Sequence, residues 1–264
     1  MTHYKRVISE NYFNMATEKA KGYKYSSMNY IDFDDCINAE LIHDSDDLIL
    51  IKDSTKATAM LYFATNNFEA LVKKIAKIPG KLRLHFVPRA FVASLSEVGF
   101  IEWAEFVDFF NTDLVKTATY LNSTSEVEYL NASDCEEVSA VSKRCKLQSR
   151  GFEGETSEWF TQWLCENKVI IQRKNSVIAG YCCVSIYNKG TTLWIREIAV
   201  DPKYQRMGLG KKLMEQAIQY GAEKGAVKGF LAADILNENA IILYNKYSFY
   251  AKDAEGELQM VMID

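Results

Sequence analysis

The sequence predicts an α/β protein built on a mixed sheet with helices on both faces, and three observations carry that prediction. Apolar runs of strand length alternate with segments of helical period through the second half of the chain. Between them, the run Val200-Asp201-Pro202 ends a strand that passes through Gly208 and Gly210 into an amphipathic helix. The third observation is size: 264 residues with 48% hydrophobic content can bury a sizeable core and exceed a typical single domain. Two domains are therefore expected, over residues 1–115 and 125–264, with the Thr/Ser/Asn-rich end of Asn111 to Ser125 as the linker.

In the first half, Leu48 to Lys52 and Ala57 to Ala64 read as a hairpin around Asp53-Ser54-Thr55. A helix follows over Asn67 to Lys77, then a strand from Lys81 to Val87 and a helix from Phe91 to Val98. In the second half, Asp134 to Cys145 and Thr156 to Glu166 are predicted helices, with Ser133 and Thr156 or Ser157 as N-caps. Strands Val169 to Arg173 and Val177 to Ile186 flank the turn Lys174-Asn175-Ser176, and Thr191 to Val200 makes the next strand. The helix beginning near Leu209 carries Leu213, Met214, Ala217 and Ile218 on one side and ends at Gly225. A buried strand Gly229 to Ile235, a helix Asn239 to Tyr247 and a closing hairpin of Phe249 to Lys252 with Glu257 to Ile263 around Gly256 complete the order.

Composition narrows the function. A net charge of −4 disfavours nucleic acid as a partner and suits a cationic amine. No apolar run approaches the roughly 18 residues of a membrane span, and the N-terminus does not read as a secretory leader, so a cytoplasmic protein is expected. Six cysteines without a Cys-x-x-Cys pair and three histidines support neither a metal site nor a disulfide framework. Cys182-Cys183, inside an apolar strand, reads as buried structure.

The glycine turn is the strongest chemical signal. The first turn of a helix leaves N–H groups unpartnered and carries partial positive charge, so it accepts phosphate. Glycine at 208 and 210 lets a diphosphate approach the amides of Gln205 through Lys211, with Arg206, Lys211 and Lys212 as cations. A third glycine at dinucleotide-fold spacing and a Gly-Lys-Ser/Thr ending are both missing, which removes the two commonest phosphate loops.

Gln205-x-x-Gly208-x-Gly210, preceded by Val200-x-Pro202, instead resembles the Gln/Arg-x-x-Gly-x-Gly/Ala signature of the GNAT acetyltransferase superfamily. Asn237-x-x-Ala240-x-x-x-Tyr244, ending in Ser248-Phe249 where the family has Gly-Phe, resembles its second helix motif. The resemblance implies the GNAT fold over 125–264 and transfer of an acetyl group from acetyl-CoA to an amine, small molecule or peptide, with both substrates bound together. It further implies that the main-chain groups of Ile198 and Val200 pair with the pantetheine amides, with Ala199 also among the cofactor-binding residues. The diphosphate sits on the loop of Gln205, Arg206, Met207, Gly208, Leu209, Gly210 and Lys211, and Asn237 and Ala240 lie beside the cofactor. Tyr244 is the acid for the departing thiolate. Its phenol holds a proton at neutral pH that a thiolate can take.

Glu197 is the candidate base. Strand alternation groups it with Leu193, Ile195 and Ala199 and turns Trp194 and Arg196 the other way. Ion pairing of Glu197 with Arg173 or Lys143, or a bulge, is the competing reading. The first half traces a degenerate echo of the same order, in which the 48–64 hairpin resembles that at 169–186 and Gly99-Phe100 parallels Ser248-Phe249. Thr65-Asn66 has no glycine, so that half is expected not to bind coenzyme A. Two further readings are a coenzyme A-binding regulator without catalysis and a structural protein that forms a homodimer through its first half.

Overall fold

The computed structural model describes residues 7–55, 57–121, 126–146, 148–150, 152–252 and 257–263. The chain divides into two compact units, residues 1–105 with 255–264, and residues 106–254.

Unit 1 begins with α1 (Glu10–Ala20), capped by Ser9, whose side chain accepts the Tyr12 N–H, and the short strand β1 (Tyr25–Ser26). Strands β2 (Glu40–Asp44), β3 (Leu48–Asp53) and β4 (Ala59–Thr65) form an antiparallel meander; α2 (Phe68–Ile75) then leads to β5 (Leu82–Val87), parallel to β4, and to α3 (Val92–Ser96). Alternation divides the apolar side chains between two faces. Leu48, Leu50, Leu61 and Phe63 pack under Leu71, Ile75 and Leu95, whereas Ile49, Ile51 and Tyr62 pack on Phe13 and Ala16 of α1.

Strand β6 (Ile101–Asn111) carries the chain into unit 2. There follow α4 (Leu114–Thr119), β7 (Glu128–Tyr129), α5 (Cys135–Arg144), α6 (Ser157–Trp163), β8 (Lys168–Lys174), β9 (Val177–Tyr187) and β10 (Thr192–Val200), then α7 (Leu209–Glu223), β11 (Lys228–Asp234), α8 (Glu238–Lys246) and β12 (Tyr250–Ala251). The unit 2 sheet runs β7-β8-β9-β10-β11-β6, with β10 and β11 parallel and β12 paired to β6. One face packs on α4, α7 and α8 through Leu193, Ile195, Leu213, Ala217, Leu231 and Tyr244; the other packs on α5 and α6 through Val138, Val141, Phe160 and Tyr181. The final strand, β13 (Glu257–Met262), pairs with β5 of unit 1.

Several expectations need correction. The closing hairpin does not form: β12 pairs with Phe109 and Phe110, while Leu258 and Met260 of β13 enter the unit 1 core; Gly256 lies outside the described residues. Both segments have strand alternation, and alternation does not name the partner. The stretch after Asn111 contains a helix, capped by Asp113 and anchored by the fully buried Leu114, while residues 122–125 are outside the described set. Ser133 lies in a 3-10 turn and caps nothing, whereas Thr156 accepts the Trp159 N–H.

The correspondence expected between the two halves differs from the observed element order by one strand. The order β2-β3-β4-α2-β5-α3 repeats β8-β9-β10-α7-β11-α8, so the 48–65 hairpin corresponds to 177–200 rather than to 169–186. The missed strand is β2, whose half-buried Glu40 and His43 and exposed Asp44 hide its apolar face.

Candidate active site

The site begins where two parallel strands part. β10 pairs with β11 only from Thr192 to Trp194, against Lys228 to Phe230, while its pairing to β9 runs on to Val200 opposite Gly180. Past Trp194 the β10 edge is open toward β11. Ala199 stands opposite Tyr181 and the Asp201 N–H donates to Ala179, so alternation turns the main-chain groups of Ile198 and Val200 into the gap.

The gap leads to the glycine turn. Buried Asp201 accepts the Lys203 N–H at 2.9 Å and pairs with Arg144 at 2.7 Å, fixing the strand exit. Gln205 reaches back to the Val200 carbonyl at 3.3 Å. Arg206 (φ 60°) and Gly208 (φ 80°) take left-handed conformations that reverse the chain, and only the second suits its residue type without strain. Gly208 is the N-cap of α7 and has no side chain with which to cap it, so the amides of Leu209, Gly210 and Lys211 lack a side-chain partner. Gly210 is helical, and a methyl group there would come no closer than 3.8 Å to Val200, leaving its surroundings open. Met207 is 57% exposed and Lys211 leans to Glu215 at 3.7 Å. Beside the turn lies a groove of about 960 Å³ whose rim carries Lys116, Lys211, Lys212 and Lys246.

Asn237 is the N-cap of α8: its side-chain oxygen accepts the Ala240 N–H, and its side-chain amide donates to the Gln148 carbonyl, each at 3.3 Å. Gln148 in turn donates to the Val200 carbonyl at 2.7 Å, and Arg150 clasps buried Asp234 at the end of β11 at 2.8 Å. The segment after α5 therefore bridges both strands of the gap, which its polar sequence did not announce. A readable signal existed in Asp234, an acid at the end of an apolar strand, which requires a cation when buried.

A bulge between Ile195 and Glu197 overturns the alternation expected there. Leu193 and Ile195 face α7, but Ala199 faces α5 and α6, as does Glu197, whose carboxylate accepts the Tyr181 hydroxyl and pairs with Arg196 at 3.3 Å. Neither Arg173 nor Lys143 is that partner; Arg173 pairs with Glu128, Asp134 and Glu137. Arg196 also lies on the Glu197 side, held by Glu155 at 3.0 Å and stacked 4.2 Å over Trp159. Burial, with Glu155 nearby, pushes the Glu197 carboxyl up to about 8, and Ser142 opposes the shift through a hydrogen bond.

Tyr244 is buried beside Phe109, with ring centroids 5.9 Å apart, on the α7 and α8 face. Among the described residues its hydroxyl has no hydrogen-bond partner, and burial, then the neighbouring Cys182, raises its pKa. Tyr247, by contrast, donates to Glu215 at 2.8 Å. Tyr244 and Glu197 thus lie on opposite faces of the sheet, with the gap as the opening between them. Cys182 and Cys183 are buried, and burial raises both thiols. Among the described residues no group of three or more His, Cys, Asp or Glu side chains could hold a metal ion, and no helix is long and apolar enough to cross a membrane.

Residues 136–249 match the model of the Acetyltransferase (GNAT) family. The chain is 34% identical over 76 residues to the ribosomal protein bS18 alanine N-acetyltransferase of Escherichia coli strain K12, covering 29% of this chain and 50% of that one. It is 36% identical over 78 residues to the spermine/spermidine N(1)-acetyltransferase of Bacillus subtilis strain 168, covering 28% and 51%. The chain spans about half the length of these curated relatives. A solved GNAT-family acetyltransferase from Colwellia psychrerythraea shares the fold, with a TM-score of 0.59, 10% identity and 98% of each chain covered.

Proposed function

Since residues 136–249 make this chain a member of the GNAT superfamily, we propose that it is an N-acetyltransferase that moves an acetyl group from acetyl-CoA to a primary amine within a ternary complex. The observation that supports this most is the pairing of an uncapped helix start at Gly208 with an unpaired strand edge at Ile198 and Val200. The first suits a diphosphate and the second suits an extended chain with two amides.

In this reading the amides from Gln205 to Lys211 bind the diphosphate, and Lys211, Lys212 and Lys246 on the adjoining groove take the phosphorylated adenosine end. The thioester supplies an acyl carbon and a good leaving group. Gln148 and Gln205 both donate to the Val200 carbonyl, where the pantetheine amide would donate, so cofactor entry exchanges side-chain hydrogen bonds for one from the cofactor. Asn237 keeps an acceptor oxygen beside Ala240 at the same gap.

Glu197, with its carboxyl pushed up to about 8, takes a proton from the ammonium form of the acceptor near neutral pH. Tyr244 keeps its proton because burial disfavours the phenolate, and it donates that proton, or a hydrogen bond, to the departing sulfur. The base and the acid then work from opposite faces of one opening, which keeps the two protons apart. Unit 1 carries no counterpart of the glycine turn, so one cofactor per chain is proposed. The acceptor is a small-molecule or peptide amine.

The test is calorimetric titration of acetyl-CoA followed by free-thiol release across a panel of amines. Binding at one equivalent with turnover of at least one amine is expected; no binding overturns the proposal, and tight binding with no turnover leaves a coenzyme A-binding regulator.

A further inference from the structure

The α5 and α6 face of the unit 2 sheet is only partly roofed. Trp163 of α6 meets Trp194 edge-on, with centroids 5.9 Å apart, and beyond Trp194 the face is open: Asp108, Ala232 and Tyr250 are exposed. Strand registers align Ser185, Trp194, Phe230, Phe110 and Tyr250 as one row across five strands, and the rings of Phe230 and Phe110 lie 5.2 Å apart. One rung nearer the gap, Asp108 stands opposite Ala232.

The charges on this floor are unequal. Arg196 is held by Glu155 and Glu197, and Arg150 by Asp234, whereas Asp108 has no ion-pair partner among the described residues. The apolar surroundings push the Asp108 carboxyl up, and Tyr187 is close enough for its phenol to respond to the Asp108 charge. The floor also already seats one ammonium: Lys252 Nζ stands 5.7 Å over the Phe110 ring.

We propose that the aromatic row from Trp194 to Phe110 and the carboxylate of Asp108 bind the far end of the acceptor, and that the acceptor is an amine with a second cationic group, a diamine or longer polyamine. The inference rests on acyl transfer at the gap, since it extends the acceptor from Glu197 across the same face. From β10 to β6 is two strand spacings, about 10 Å, which an extended chain with two amino groups about seven bonds apart can span. Methylenes would lie on Phe230 and Phe110, and the distal ammonium would meet Asp108. A monoamine of equal length leaves Asp108 unpaired, and a terminal carboxylate is repelled by it.

Thiol release from acetyl-CoA with 1,6-diaminohexane, hexylamine and 6-aminohexanoate tests this directly. The diamine is expected to exceed hexylamine in kcat/KM by about tenfold or more, with aminohexanoate lowest. Asp108→Asn should raise KM for the diamine by about tenfold and change KM for hexylamine, which has no distal ammonium, by less than about threefold. In parallel, the diamine should quench tryptophan emission of the coenzyme A-bound protein, and do so more weakly in Asp108→Asn. Equal kcat/KM for diamine and hexylamine, or an equal effect of Asp108→Asn on all three amines, overturns the inference. Diamine quenching that depends on Asp108 without thiol release upholds the floor and overturns acyl transfer instead.

Discussion

The two units share a connectivity and treat its central gap in opposite ways. In unit 2 the edge of β10 beyond Trp194 is unpaired by any strand, and α7 starts at a glycine that cannot cap it. The matching edge of β4 in unit 1 is filled by the chain itself: Tyr25 and Ser26 pair with Thr65 and Ala64, and Ser27 exchanges hydrogen bonds with Phe63 at 2.8 and 2.9 Å. Only two residues separate β4 from α2, Asn67 caps the helix by accepting the Ala70 N–H, and Phe68 stacks on Phe91 with centroids 3.5 Å apart. The β3–β4 ladder has no bulge, while the β9–β10 ladder has one beside Glu197. A gap of this kind is therefore not a site by virtue of the fold. What sets the unit 2 gap apart is that its β10 edge meets no strand and its helix start has no side-chain cap among the described residues, the Val200 carbonyl being held only by the side chains of Gln148 and Gln205.

Substitutions that separate the two gaps can break this comparison, and the largest effect is expected at Glu197. Glu197→Gln should lower kcat/KM by about 10²- to 10⁴-fold with acetyl-CoA affinity nearly unchanged. Wild-type kcat/KM should rise with pH through about 8 as the carboxylate forms, and the variant should lose that limb. Stability gives a second reading of the same group. A folded-state carboxyl raised above its unfolded value near 4.3 contributes stability at low pH that is lost as pH climbs through about 8, so denaturation of Glu197→Gln should show a flatter decline over that window.

Next in size is Gly210→Glu, which sets a carboxylate among the open amides of α7. Acetyl-CoA affinity should fall by about 100-fold, an effect of about 2.7 kcal/mol, read by calorimetry. Tyr244→Phe should lower kcat by about tenfold, with a thermal midpoint within a few degrees of wild type, because the hydroxyl it removes has no partner among the described residues. Gln148→Ala should act the other way, tightening acetyl-CoA binding about fivefold by removing the shorter of the two side-chain hydrogen bonds on the Val200 carbonyl, the other coming from Gln205, an effect of about 1 kcal/mol. Weaker binding would instead make Gln148 part of the cofactor seat. The smallest functional change belongs to unit 1: Asn67→Ala should cost about 1 kcal/mol of stability and leave acetyl-CoA affinity where it was.

The legible part of this molecule was its local chemistry. Gly208, Pro202, Asn237 and the turn at Asn175-Ser176, with φ of 49° and 66°, announce themselves because each residue type suits a particular backbone form. Pairing partners were less legible. Glu257 to Met262 alternates correctly whether it joins β12 or β5, and the sequence between does not distinguish them. The bulge at Glu197 was read only as an alternative, because an extra residue in a ladder changes no composition, although it reverses which neighbours an acid meets. Gln148 and Arg150 were invisible for a related reason: a polar loop shows no period, and its role comes from Val200, Asp234 and Asn237, which lie 52, 84 and 89 residues away.

The placement of β13 has a consequence for how the protein is made. Leu258 and Met260, buried within the unit 1 core, lie after the whole of unit 2 in the chain. During synthesis the ribosome has released every residue of unit 2 before it releases the strand that unit 1 still lacks. Of the two units, the one that begins first is completed last.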